Sequence, residues 1–519
     1  MSIQTLSNVK LPIGKSEQEL YALATKKLGK KPKYFAIKKK SLDARDKNDI
    51  RFVYTIAFSD EYVQIEKEAL PRLPAYKQPQ KPVVVVGSGP AGLFCALRLI
   101  EHGIMPIVIE RGASVEERKA RIDAFIQTRV LDENCNVQFG EGGAGTFSDG
   151  KLNTQTHSPL QDEVLQTFIR FGAPQEIAYL NKPHIGSDNL QMVVRNMREG
   201  ILAQGGEVRF HTLLQDVNIK DGEVVGVSLR DLHTGKEETL DVSALILAVG
   251  HSARDTFEML YNRGVYMRPK DFAVGVRVEH SQEEIGRSQY GKAYSLLPAA
   301  DYKLVSHAQD RAVFTFCMCP GGYVMPATSE AGAVVTNGMS NYARDGKNAN
   351  AALIAQVTAK DFNSEHALAG VYFQRELERK AFLVGGENYN APVQKLGDFL
   401  SGKTSDGFGS VQPTYAVGTT FADIGDILPA TITQALQMGI LDMDKRLKGF
   451  ACPDALLTAV ETRTSSPIRI ERDTTTLQSV STKRLYPCGE GAGYAGGITS
   501  SACDGIRVAD QVFYQFFAE

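Results

Sequence analysis

The sequence lacks an excess of charge of either sign: 58 Lys and Arg stand against 60 Asp and Glu, a formal net charge of −2 over 519 residues. That balance gives no electrostatic case for a chain-wide hold on nucleic acid or an anionic membrane. It also lacks any uninterrupted apolar run of about 18 residues, so no membrane span is expected. The opening MSIQTLSNVKLPIGK has none of the basic, apolar and small-residue segments of a secretory leader, and a cytoplasmic protein is expected. Cysteine is scarce: seven residues, odd in number and thinly spread, do not make a disulfide framework in a chain this long. Reduced thiols fit the same compartment. There is no internal repeat, and no His/Cys cluster completes a metal site, so no metal is expected.

What is present is enough length for two or three domains. Residues 1–70 read as a small α+β unit: a strand, a helix through SEQELYALATKKLG, and the strands YFAIKKKSL and IRFVYTIAF. It is locally basic, with 13 Lys and Arg against 5 Asp and Glu in residues 1–51. Two readings stand: an edge strand kept soluble by lysines, or a docking face for RNA or an acidic protein partner. Residues 71–82, rich in proline, read as a linker. Residues 83–260 and 456–519 read as one nucleotide-binding domain, interrupted by an inserted α+β substrate domain over 261–455. In the insert, FAVGVRVEH, RAVFTFCMC and AVVTNG read as strands, and NAALIAQVTAKDFN and TITQALQMGILDMDKRL as helices.

The chemistry starts at Gly87-Ser88-Gly89-Pro90-Ala91-Gly92, which follows the apolar strand VVVV and opens a helix. Gly87 permits a tight turn, Gly89 lets backbone approach a pyrophosphate, and Gly92 allows close helix–strand packing, while the helix N-terminus supplies amide donors. Glu110, at the end of the next strand and followed by Arg111, is placed to accept hydrogen bonds from ribose hydroxyls. This motif alone does not separate FAD from NAD. The segment LYPCGEGAGYAGGITSSACDGI does, because a strand ending in Gly489-Glu490, then Gly496-Gly497 and a helix from Ile498, is the C-terminal return of extended-FAD proteins. A glutamate stands at 490 where aspartate is commoner. The segment ALILAVGHSARDTF carries Gly250, His251 and Arg254 at the exit from the domain; the last two read either as helix capping and surface pairing or as groups facing substrate.

Five glycines crowd the stretch GEGGAGTFSDGKL. It lacks the Gly-Lys-Ser/Thr ending of a phosphate-binding P-loop. Gly142, Gly143, Thr146 and Ser148 are candidates to lie along a flat cofactor, Lys151 to balance negative charge near it, and Glu141 and Asp149 to cap or turn the chain. Cys317 and Cys319 read as a buried pair on one strand face, a substrate-side thiol or a metal ligand, and Cys95, Cys488 and Cys503 as packing. Arg463 and Arg469 in ETRTSSPIRI can clamp an anion or form ordinary ion pairs.

GSGPAGLFCALRL, GEGGAGTFSDGKLNT, GHSARDTF, FAVGVRVEH, FCMCPGG with VVTNGMS, ETRTSSPIRI and PCGEGAGYAGGITSSACDGI, in that order, resemble the bacterial uncharacterised FAD-dependent dehydrogenases. The resemblance implies an α/β fold with a Rossmann-type, GR2-like FAD-binding domain, an inserted substrate domain and a small N-terminal domain. It implies FAD as cofactor and leaves the substrate open. No second complete strand-anchored GxGxxG occurs, so the electron donor is a small-molecule substrate, a protein, or NAD(P)H bound transiently. An RNA-modifying flavoenzyme and a non-catalytic FAD sensor or scaffold are the alternatives.

Overall fold

Four consecutive valines, Val83–Val86, are buried on both faces, as a central parallel strand requires. In the computed structural model, which describes residues 3–62, 79–154, 158–307, 311–362 and 364–518, this strand lies mid-sheet. The order is Leu485–Pro487, Ala244–Leu247, Val83–Val86, Pro106–Ile109, Glu207–Arg209, all parallel. Side-chain alternation splits the sheet into two cores. Val83, Val85, Val108, Ala244 and Ile246 face the helices Pro90–Glu101, Ser187–Ala203 and Ile498–Ala518. Val84, Val86, Ile109, Leu245 and Leu247 face an antiparallel three-stranded meander, Thr212–Lys220, Glu223–Asp231 and Glu237–Asp241. This is the expected Rossmann-type domain, rebuilt at its C-terminus by the return strand and helix.

The insert is built on a seven-stranded sheet in the order Val305–Ser306, Val313–Cys319, Asn348–Val357, Phe272–Ser281, Leu456–Glu461, Ala391–Lys395, Thr419–Phe421. Two expectations are corrected here. NAALIAQV is a strand, not a helix, because it is enclosed between Phe272–Ser281 and Val313–Cys319, and paired neighbours on both sides override the helix preference of alanine. Leu456–Glu461, assigned from the sequence to the return segment, pairs antiparallel with Phe272–Ser281 and Ala391–Lys395, so the insert extends beyond residue 455. The helices Ala369–Val384 and Ala430–Arg446 pack into its core.

The N-terminal unit is a three-stranded antiparallel sheet, Gln4–Pro12, Arg51–Ser59, Tyr34–Asp43, with one helix, Gln18–Leu28. Its lysine-bearing edge strand meets the main body at Lys40, which exchanges backbone hydrogen bonds with Tyr179 and Asn181, at 2.8 and 2.9 Å, while Lys38 and Lys39 are exposed. Several of its cations are paired, among them Lys40 with Glu17 and Lys30 with Asp60. Most of the linker expected at 71–82 lies outside the described residues. No described helix is long and apolar enough to cross a membrane.

Candidate active site

The nucleotide turn is glycine by necessity. Gly87 has φ +102° and donates its N–H to the Ile109 carbonyl at 2.7 Å; a Cβ there would sit 2.3 Å from the Ala248 oxygen. A Cβ on Gly92 would lie 1.9 Å from the Gly87 oxygen, so strand and helix touch backbone to backbone. Gly89 precedes Pro90 at the helix start, and the one heavy atom near its missing Cβ is the Gly143 Cα at 3.8 Å. The start of the helix therefore carries no side chain over it, and the amides of a helix's first turn have no partner within the helix.

Glu110 has a role that sequence reasoning did not assign. It is buried, and both oxygens accept from the chain: Ser88 N–H at 3.0 Å and Oγ at 2.8 Å on one, Gly112 and Gly140 N–H at 2.9 and 3.1 Å on the other. It ties the turn to the glycine-rich stretch, and a ribose hydroxyl has to share it. Arg111 lies over the Phe139 ring and donates to Asp255 and Thr256, bracing helix Arg254–Asn262.

The glycine-rich stretch is laid across that turn. Gly142 donates to the Ser88 carbonyl at 2.9 Å, and Gly140, Gly142, Gly143 and Gly150 all have positive φ. What holds it is Arg118, fully buried with no carboxylate partner among the described residues. Its guanidinium donates to the carbonyls of Asn136 (2.9 Å), Val137 (2.8 Å), Gly140 (3.2 Å), Glu141 (2.6 Å) and Gly143 (2.9 Å) and lies over the Phe147 ring. Burial pushes its pKa down to about 10, so it stays a cation at neutral pH. Sequence reasoning missed both Arg118 and its helix, Val115–Thr128. The signal was there: the buried residues Val115, Arg118, Ile122 and Phe125 form an i, i+3, i+7, i+10 stripe with an arginine in it.

Other candidates in the stretch hold the loop itself. Thr146 is buried against the Glu141 carbonyl, and Ser148 donates to the Gly145 carbonyl at 2.6 Å while accepting from Gly150 N–H. Glu141 caps helix Val115–Thr128 by accepting from Val115 N–H at 2.7 Å and also meets Arg198 at 3.1 Å; burial raises its pKa to about 7. Asp149 makes a two-pronged ion pair with Arg344 of the insert, and Lys151 donates to the Met318 carbonyl. Gly143, at φ +62°, would place a Cβ 3.1 Å from the Gly89 Cα. A Gly143→Val chain is expected to fold, by circular dichroism, yet to bind FAD on the order of tenfold or more weakly, since strain there distorts the turn beneath it.

From the return segment, Gly489 donates to Asp504 at 2.8 Å and its Cβ position is 2.7 Å from the Ala91 side chain, while Gly505 meets the Ala91 oxygen, so the return helix lies tightly on the helix of the first turn. A Cβ on Gly491 would come 2.3 Å from the Gly250 oxygen, and Thr499 donates to the Leu152 carbonyl at 2.8 Å. Gly250, Gly496 and Gly497 have nothing within 4 Å of a Cβ position. Glu490 is partly exposed and near Lys270 and Cys317; burial raises its carboxyl to about 7 against the pull of Lys270.

Beside Gly250 stands His251, partly exposed, with Nδ1 3.0 Å from the Ser252 hydroxyl. Burial, then the charges of Arg463 and Arg254, push its pKa down to about 3, so the imidazole is neutral. Surface pairing for Arg254 is corrected. Arg254 and Arg463 are both buried and converge on Glu378 of the insert, at 2.7–2.8 Å and 2.9–3.1 Å; Gln374, Glu330 and Thr462 complete the cluster. Arg463 also donates to Ser252 and so fixes the hydroxyl that meets His251. Ordinary ion pairing thus describes Arg463. Arg469 lies over the Tyr494 ring.

Four stretches distant in the chain, Gly87–Gly92, Gly140–Leu152, Gly250–His251 and Gly489–Ile498, are therefore brought side by side: Gly142 bonds Ser88, Gly491 packs on Gly250, and Thr499 bonds Leu152. A helix N-terminus at one end and the positions Gly89, Gly250, Gly496 and Gly497 open to a Cβ fit an extended, flat dinucleotide such as FAD. Comparison with known proteins agrees. Residues 80–135 match a family model described as an FAD binding domain, residues 271–464 match "FAD-dependent protein, C-terminal domain-like", and residues 3–59 match a domain of unknown function. An uncharacterized protein of Clostridium beijerinckii is 45% identical over 499 residues, 92% of each chain. The chain belongs to this family of uncharacterised FAD-dependent proteins.

Its family membership rests on those matches. Solved structures are more distant: E. coli quinol fumarate reductase (11% identity, 85% of this chain and 71% of that one, TM-score 0.39), a flavoprotein/dehydrogenase from Cytophaga hutchinsonii (10%, 85% and 80%, 0.38) and glycerol-3-phosphate dehydrogenase from Bacillus halodurans (12%, 84% and 65%, 0.35). Likenesses of this order carry no functional argument.

Proposed function

We propose that this family member is an FAD-dependent oxidoreductase that moves an electron pair between a small organic substrate and its flavin. The observation that carries the reading is the meeting of the Gly87–Gly92, Gly140–Leu152, Gly250–His251 and Gly489–Ile498 stretches, with Gly89, Gly250, Gly496 and Gly497 open to a Cβ and a neutral imidazole next to Gly250. FAD, once bound, supplies two-electron redox chemistry at its ring system. The chain's part is to bind, orient and set charge.

The amides at the start of helix Pro90–Glu101 favour a pyrophosphate, and those at the start of helix Ile498–Ala518 favour developing negative charge on the ring. Gly142 and Gly143 let the backbone lie close to it. His251, held at Nδ1 by Ser252, has no hydrogen bond at Nε2 among the described residues and, kept neutral, can hydrogen-bond a substrate there. Arg463 positions that pair through Ser252, Arg254 anchors Arg463's partner Glu378, and Lys151 braces the glycine-rich stretch against the insert. The outside electron donor is the substrate, a protein, or NAD(P)H bound transiently. An RNA-acting role has only the basic first 51 residues to support it.

Anaerobic photoreduction of the FAD-loaded chain, followed by reoxidation with quinones, enoyl compounds and oxygen, separates an enzyme from a sensor. Rapid reoxidation by one class, slowed by His251→Ala, is the expected result. Uniformly slow reoxidation by all of them would make the chain a sensor.

A further inference from the structure

The strand Val313–Cys319 does not run straight to its end. Its register against Asn348–Val357 slips between Phe316 and Cys319, and Cys317 sits in the left-handed region at φ +41°. On a regular strand, residues 317 and 319 would point the same way about 7 Å apart. The bulge instead folds Cys319 back, so that its Sγ donates to the Cys317 carbonyl at 3.3 Å. Both thiols are free; Cys317 is partly exposed and Cys319 buried.

Two cations face them. Arg277, fully buried, donates to the Cys317 carbonyl at 2.6 Å and lies 3.4 Å from the Cys319 sulfur, with Asn350 and Glu461 holding its other nitrogens. Lys151 reaches the Met318 carbonyl from the glycine-rich stretch. The next residue of that stretch, Leu152, is bonded to Thr499 at the start of the return helix. Met318, between the two cysteines, is therefore linked through two successive residues to both backbone segments placed beside the proposed flavin ring. Among the described residues, Glu117, His211 and His233 form the one group with metal-ligand spacing, and it includes neither cysteine.

From this convergence we infer that Cys317 and Cys319 form a redox-active dithiol that cycles to a disulfide by exchanging an electron pair with the bound flavin. The inference rests on the proposal that the chain binds FAD. Starting from the Cys317 thiolate and the Cys319 thiol, the S–S bond forms, the Cys319 S–H bond breaks, and two electrons and one proton leave. Oxidised FAD takes up that same electron pair and proton on reduction to its anionic form. The charge pattern suits this starting state. The neighbouring Cys319 thiol, with the positive charges of Arg277 and Lys151, brings the Cys317 thiol down to about 6 against the opposing effect of burial, while burial and the neighbouring thiolate push Cys319 well up. Cys317 is the nucleophile and Cys319 the proton carrier.

Thiol counting on the FAD-loaded full chain, denatured under acid quench and reacted with Ellman's reagent, tests this without using activity. Air-oxidised protein is expected to show five of the seven cysteines as thiols and dithionite-reduced protein all seven. Cys317→Ser and Cys319→Ser should show six in both states. An anaerobic reductive titration of the wild type should consume twice the electron equivalents per flavin that either variant does. The wild-type counts stand alone if a variant does not fold. Seven thiols in both states, with FAD bound, would overturn the dithiol and leave the FAD reading intact. A chain that takes up no FAD would overturn the FAD reading first and, with it, this inference.

Discussion

Replacing Arg118 with methionine should abolish FAD binding and sharply lower folded yield, although residue 118 is placed to touch no cofactor. Methionine fills much of the volume but donates nothing, leaving the carbonyls of Asn136 and Val137 without a donor among the described residues, while those of Gly140, Glu141 and Gly143 keep only the Gly143 N–H, the Thr146 hydroxyl and the Thr146 N–H. An unsatisfied buried acceptor costs about 1–3 kcal/mol, so two of them take a large share of the about 5–15 kcal/mol that keeps a domain folded. Lysine should rescue poorly, because an ammonium group donates from one point and cannot span carbonyls that the guanidinium fork reaches from three nitrogens. The checks are soluble yield, thermal melting and flavin content. A methionine variant that melts within a few degrees of wild type and keeps its FAD would show that the glycine-rich stretch holds its shape by itself.

Glu378→Gln carries the second large effect. The carboxylate is buried between Arg254 and Arg463, and the amide that replaces it turns donors toward two guanidinium groups, of which Arg254 keeps Glu330 while Arg463 has no other carboxylate partner among the described residues. Breaking a buried ion pair from one side costs about 3–5 kcal/mol. Burial pushes the Glu378 carboxyl up, but the two arginines outweigh it and hold the group well below the usual carboxylate range. The folded state therefore binds fewer protons at this site than the unfolded chain does. Its contribution is fully present above the unfolded value of about 4.3 and is lost as pH falls below it. Melting temperature should fall more steeply below that pH in the wild type than in Glu378→Gln, and the two curves should converge in acid. Parallel curves would mean that the pair contributes little. Because Arg463 also holds Ser252 beside His251, the variant should disturb the imidazole as well, seen as a shift of its ring resonances.

What was legible in the sequence follows a physical pattern. The strand, turn and helix around Gly87–Gly92 and the return at Gly489–Ile498 were readable because close backbone approach admits glycine alone, and buried parallel strands are apolar throughout. NAALIAQV misled because alanine favours helix locally, and only pairing with two strands from elsewhere in the chain makes it a strand. Leu456–Glu461 misled for the same reason, its partners being over 60 and 170 residues away in sequence. Arg254 read as a capping or substrate-facing group and Arg463 as an anion clamp or an ordinary ion pair, yet what decides the role of both is Glu378, in a stretch with no motif to mark it. Arg118 was overlooked because a charged residue in an apolar stripe reads as a break in the pattern, whereas here the guanidinium is the pattern's purpose.

That the stretches Gly87–Gly92, Gly140–Leu152, Gly250–His251 and Gly489–Ile498 together hold one FAD per chain is the claim on which the rest depends. The direct measurement is flavin stoichiometry: saturate the purified chain with FAD, remove the excess by gel filtration, release the flavin with acid and quantify it against protein, with Gly89→Val treated in parallel. About one FAD per wild-type chain is expected, with little or none on Gly89→Val, whose side chain enters the space where the helix N-terminus meets the pyrophosphate. A wild-type chain that retains no flavin, or a Gly89→Val chain that retains as much as wild type, would contradict it.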